Sequence, residues 1–223
     1  MSTSDGGALS TESRDVSGFD RVTLSGVGTM RIERGDAESL EIETHADLLP
    51  SITTEVTGGT LRIGLARKAF LAFRRLRRQD IRYRVTVREL RGLSLSGAGE
   101  IGVGPIAPEA FELKVSGAGD VNLESIETGQ LAVSISGAGD CSLAGKADSL
   151  DVVVSGAGDL DAASLESRVA TVKISGAGDV RLWARETLAA TVTGAGSIRY
   201  RGEPDATKTI TGVGSIRKLD DTA

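Results

Sequence analysis

Ser116-Gly117-Ala118-Gly119-Asp120 is the stretch that decides the fold, because the chain repeats it almost letter for letter. Close copies stand at Ser96 to Glu100, Ser136 to Asp140, Ser155 to Asp159 and Ser175 to Asp179, and softer ones at Ser25 to Thr29, Thr193 to Ser197 and Thr211 to Ser215. From Ser96 onward the spacings are 20, 20, 19, 20, 18 and 18 residues. A fixed period of this size marks a stacked-repeat architecture. Around the central copy, Leu113, Val115, Gly117, Gly119, Val121 and Leu123 share one parity, and Lys114, Ser116, Ala118, Asp120 and Asn122 the other. Period two is a strand signal, so each unit reads as strand, bend, strand. The two glycines fall where an inward side chain would collide at the bend, and glycine also tolerates positive φ.

One such unit cannot bury its apolar edge. Units piled at ~4.8 Å close a continuous Val/Leu/Ile core and pair their backbones with the rungs above and below. The expected fold is therefore all-β, a right-handed parallel β-solenoid (β-helix) of about 20-residue rungs. The rival is a series of antiparallel hairpins turning on Ala-Gly.

The 223 residues read as one elongated domain over 18–218, with an irregular part at 18–91, regular repeats at 92–218, a loose polar tail at 1–17 and an acidic tail at 219–223. Gly58-Gly59 suits a two-residue hairpin turn between Ile52–Val56 and Thr60–Leu65. Ala66 to Arg78 breaks the β pattern. It combines strong helix formers with Phe70, Phe73 and Leu76 at three-residue spacing, which predicts a short basic helix near residues 66–78. Thr60 to Arg91 carries a net charge of +9 against −5 for the whole chain, so charge is segregated. The lone Cys141 lies on the inward parity and reads as a small buried hydrophobe. No apolar run is long enough for a transmembrane helix, and Met1 to Gly18 lacks the pattern of a signal peptide, so by sequence the chain is expected to be cytoplasmic.

The Ser-Gly-Ala-Gly-Asp repeats, the opening Phe19-Asp20-Arg21-Val22, Gly58-Gly59-Thr60-Leu61 and Gly202-Glu203-Pro204 before Gly212-Val213-Gly214 together resemble the bacterial head-GIN-domain family of auto-transporter adhesins. The resemblance covers Gly18 to Lys218. It implies a right-handed β-helix-like fold, a place in the cell envelope or outside the cell, and no catalytic residues to carry over. The Arg-rich stretch looks like an insertion that the family does not explain.

In-register rungs would line up Glu100, Asp120, Asp140, Asp159 and Asp179 as a carboxylate ladder. One carboxylate per rung supplies too few oxygens for Ca²⁺, so the expected role is to hydrogen-bond the corner backbone, and no metal or other cofactor is expected. The Gly-x-Gly runs precede strands, whereas a phosphate cradle needs a following helix. His45 is the only histidine. The sharpest functional hint is Phe70, Phe73, Arg74, Arg75, Arg77 and Arg78, which could meet an anionic membrane or an acidic partner, or cap an open solenoid end. These readings favour a non-catalytic structural or adhesion-like module. A carbohydrate-active β-helix and a membrane-surface binder are the alternatives, a nucleic-acid partner is not expected, and end-to-end self-association is open.

Overall fold

The computed structural model describes residues 9–66 and 81–219. In chain order its strands are β1 (Leu9–Arg14), β2 (Arg21–Leu24), β3 (Thr29–Arg34), β4 (Ser39–His45), β5 (Ile52–Thr57), β6 (Thr60–Leu65), β7 (Arg82–Val87), β8 (Gly92–Leu95), β9 (Glu100–Val103), β10 (Ala110–Val115), β11 (Asp120–Ile135), β12 (Cys141–Val154), β13 (Leu160–Ile174), β14 (Val180–Val192), β15 (Ser197–Arg201), β16 (Asp205–Ile210) and β17 (Ser215–Lys218). All belong to one continuous sheet that coils into a β-solenoid of rungs about 20 residues long.

Successive repeats run parallel and in register. Leu113 pairs with Val133, Val133 with Val152, Val152 with Val172 and Val172 with Ala190. The antiparallel rival is thereby excluded. Every aliphatic side chain on the inward parity of β10 and β11, from Leu113 to Ile135, is at most 2% exposed. Each contributes roughly 1.5–3 kcal/mol of burial, against the entropy of ordering its rung.

Stack order and chain order part company at the N-terminal end. On one side the ladder runs β6, β2, β8, β10, and on the adjoining side β7, β3, β9, β11, all parallel. The first motif copy, carried by β2 and β3, therefore lies between a lower rung made later in the chain and the regular rungs above it. Below that lower rung the pairing turns antiparallel. β5 pairs antiparallel with β6 through Gly58-Gly59, both at positive φ, and β4 pairs antiparallel with β7 and with β1.

Two expectations are corrected here. The short basic helix near 66–78 is not borne out. Ala66 still belongs to the hairpin, donating its N–H to Ser51 O at 2.9 Å, and residues 67–80 lie outside the described residues, which hold no helix beyond the 3₁₀ turn Leu49–Ser51. Leu9–Arg14, read as loose tail, is β1, because its backbone completes the edge of β4. The 60–87 rung lies beneath the motif copy that Phe19 opens, and β1, β4 and β5 lie below that rung.

Candidate functional site

The corner column explains the glycines, though by a different contact than the parity argument foresaw. A Cβ on Gly117 would fall far inside contact distance of the Gly97 carbonyl oxygen, and one on Gly119 would do the same to Gly99 O. The relation repeats for Gly137 and Gly139, Gly156 and Gly158, and Gly176 and Gly178. The obstacle is the backbone of the rung below, brought close as Ala118 N donates to Gly97 O at 3.1 Å. Positive φ is not the reason, because of all the motif glycines only Gly28 adopts it.

Beside this column the aspartates form the predicted ladder, and each serves the rung above rather than its own corner. Asp120 Oδ1 accepts the Asp140 N–H at 3.4 Å, Asp140 Oδ1 that of Asp159 at 3.1 Å, and Asp159 Oδ1 that of Asp179 at 2.7 Å. Asp179 Oδ1 ends the series, accepting from Ser197 N at 3.0 Å and Ser197 Oγ at 2.6 Å. The Ser197 hydroxyl is the main reason that the Asp179 carboxyl is held below the usual carboxylate range. Below and above the series the backbone bonds itself: Asp120 N donates to Gly99 O at 3.0 Å and Ser215 N to Gly196 O at 3.3 Å. Those two levels carry Glu100 and Ser197 instead of aspartate. The ladder is thus a set of backbone acceptors placed where a main-chain partner is missing. Among the described residues no group of three His, Cys, Asp or Glu side chains could hold a metal ion. Cys141 is buried, and its thiol is pushed up to about 12 by desolvation, with the Asp140 and Asp120 charges adding to the effect.

Two further contacts were not foreseen. Arg21 reaches over Gly92 to Glu112, with Nη1 to Oε2 at 3.3 Å, and Arg31 reaches over Gly102 to Glu124, with Nη1 to Oε1 at 2.5 Å. Each arginine spans from the 21–34 rung across the 92–103 rung to the one above. A Cβ would stand 3.1 Å from Arg21 Nη1 at Gly92 and 3.2 Å from Arg31 Nη1 at Gly102, so both glycines clear the path. The only sequence signal was a glycine at an outward strand position outside the motif.

Of the residues proposed for partner binding, Phe70, Phe73, Arg74, Arg75, Arg77 and Arg78 all lie outside the described residues. Their place in the chain is informative nonetheless. Residues 67–80 join β6 to β7, and in the rung above the same strands are joined by Ser25-Gly26-Val27-Gly28. By chain order the Arg-rich stretch lies between the two strands of the lowest parallel rung.

The family described as putative auto-transporter adhesin, head GIN domain, matches residues 18–204. No functionally curated protein matches the chain. Among solved structures, a putative adhesin from Bacteroides fragilis superposes with a TM-score of 0.88 at 24% identity, over 95% of this chain and 97% of that one. A putative lipid binding protein from Parabacteroides distasonis gives 0.75 at 26%, covering 97% and 98%. A putative adhesin from the same species gives 0.72 at 20%, covering 96% and 98%. With the repeat, its corner glycines and the parallel stack all in place, the chain belongs to the head GIN domain family of putative auto-transporter adhesins.

Proposed function

We propose that this chain is a non-catalytic, adhesion-like scaffold that works at the cell surface or within the envelope. The observation that carries this reading is the employment of the repeated carboxylates. Asp120, Asp140, Asp159 and Asp179 accept backbone N–H groups of the next rung, so they are structural acceptors rather than an acid and base flanking a substrate. The family and the solved relatives described as putative adhesins support it. The test is incubation with a panel of polyuronates and neutral glycans, reading new reducing ends. None are expected, and release that disappears in an Asp140→Asn variant would overturn the scaffold reading in favour of a glycan-cleaving one.

A second reading rests on the Arg-rich connection at 67–80 and on the relative named as a lipid binding protein. In it, Arg74, Arg75, Arg77 and Arg78 meet anionic headgroups beside Phe70 and Phe73. Co-sedimentation with vesicles should rise with their phosphatidylserine content and fall when the four arginines are changed to glutamate. Binding indifferent to both would dismiss it.

A further inference from the structure

The out-of-order rung is built as an insert. Residues 19–35 enter the stack and return to nearly the point they left, since Gly18 N donates to the Glu38 carboxylate at 2.8 Å. Within the excursion, Ser25 N donates to Ile63 O and Thr29 N to Ile81 O below, while Leu24 O accepts from Ser96 N and Gly28 O from Glu100 N above. At this corner the rungs on either side thus present complementary groups: the Ile63 and Ile81 carbonyls face up, and the Ser96 and Glu100 N–H groups face down.

Their registers also match. Thr23 pairs with Arg62 below and Ser94 above, and Met30 with Tyr83 below and Ile101 above. Without the insert, Leu61 would face Leu93, Ile63 would face Leu95, Tyr83 would face Ile101 and Val85 would face Val103, all on the inward parity. The chain itself links these two rungs. Arg88 to Arg91, four residues between β7 and β8, must climb past the insert, whereas Gly104 to Glu109, six residues, climb a single level.

We propose that residues 19–35 form a removable rung. Its withdrawal lets the 60–87 and 92–103 rungs close on each other in register, shortens the solenoid by one ~4.8 Å step, and presents Phe19, Val22, Leu24, Met30 and Ile32 as an apolar ribbon. Arg21 and Arg31 are the latch. Their ion pairs to Glu112 and Glu124 tie the insert to a rung two levels up, across glycines that leave room for them.

The test uses the full chain in a Cys141→Ala background. Arg62→Cys with Ser94→Cys places two thiols two ladder steps apart, ~9.6 Å, beyond the ~7 Å that a disulfide can span. They come within range only when the insert is out. Thr23→Cys with Ser94→Cys, neighbours in the native register, is the control. The Arg62/Ser94 pair should oxidise slowly under native conditions. Adding Arg21→Gln and Arg31→Gln should speed that oxidation on the order of 2- to 30-fold, the range for two exposed ion pairs. An Arg62/Ser94 pair that stays reduced while the control oxidises would overturn the proposal. So would hydrogen exchange on the unmodified chain in which amides of 21–34 exchange no faster than those of 92–103. A rate unmoved by the two glutamines would remove the latch.

Discussion

Replacing Asp159 tests whether the carboxylate ladder is a set of hydrogen-bond acceptors or a store of negative charge. Its Oδ1 accepts the Asp179 N–H at 2.7 Å, the shortest of the Asp-to-Asp links. A charge-assisted bond of this kind contributes ~1.5–3 kcal/mol when protected, and partial exposure brings it to the low end, about 2 kcal/mol. Against it stand the flanking charges of Asp140 and Asp179, one ladder step away on either side. Each repels Asp159 by about 0.8 kcal/mol in water at ~5 Å, roughly halved by physiological salt. Asp159→Ala loses the acceptor and relieves the repulsion, for a net cost of about 1 kcal/mol. Asp159→Asn keeps an acceptor oxygen and relieves the same repulsion, so it should be neutral or slightly stabilising. Glu100→Ala should be neutral, because the N–H above it already bonds to Gly99 O. Urea denaturation and thermal melts at pH 7, both followed by circular dichroism, would separate the three, with a melting shift of about 2–4 °C for the alanine at Asp159. Equal losses for Asn and Ala would mean that charge, and not the acceptor, is what the rung needs. An equal loss at Glu100 would refute the account of where aspartate is required.

Gly137→Ala should cost about 3 kcal/mol, since its Cβ would collide with the Gly117 carbonyl and stacked backbones cannot yield, while Ala138→Gly should cost far less; thermal melts of the pair check this. Lys208 and Lys218 stand in the last rung at the inward positions that Ala190 and Tyr200 occupy one level below. Inward lysines on an end strand oppose edge pairing, so Lys208→Val with Lys218→Val should turn the chain towards concentration-dependent association in analytical ultracentrifugation, and an unchanged sedimentation coefficient would count against the idea. The Asp179 carboxyl, depressed in the folded state chiefly by the Ser197 hydroxyl, contributes stability that is fully present above the ordinary carboxylate value and is lost as pH falls through the lower folded one. Asp179→Asn should flatten that acid limb, and a limb of unchanged slope would show that the group is not coupled to folding.

The repeat, its parity and the corner glycines were legible in the residues because a solenoid is locally encoded. Each rung repeats the same short-range constraints, and identical neighbours satisfy them together by stacking in parallel. The aspartates were legible as a ladder, but their partners were not. Whether a backbone N–H finds a carbonyl, as that of Asp120 does, or a side chain, as that of Asp140 does, is set by how two rungs meet at the corner. The Arg-rich stretch read as a helix on local propensity, with no signal that it joins two strands of one rung.

Composition and periodicity alone therefore determined that this chain coils into β rungs around an aliphatic core, because burial at every second residue is a property of the strand itself. Only the tertiary structure decided the order of the rungs. Residues 21–34 fit between 60–87 and 92–103 because register, parity and hydrogen-bond polarity agree on both sides, and that agreement arises between segments far apart in the chain. The same long-range fit set Arg21 and Arg31 across Gly92 and Gly102, a contact that neither partner's neighbourhood announces.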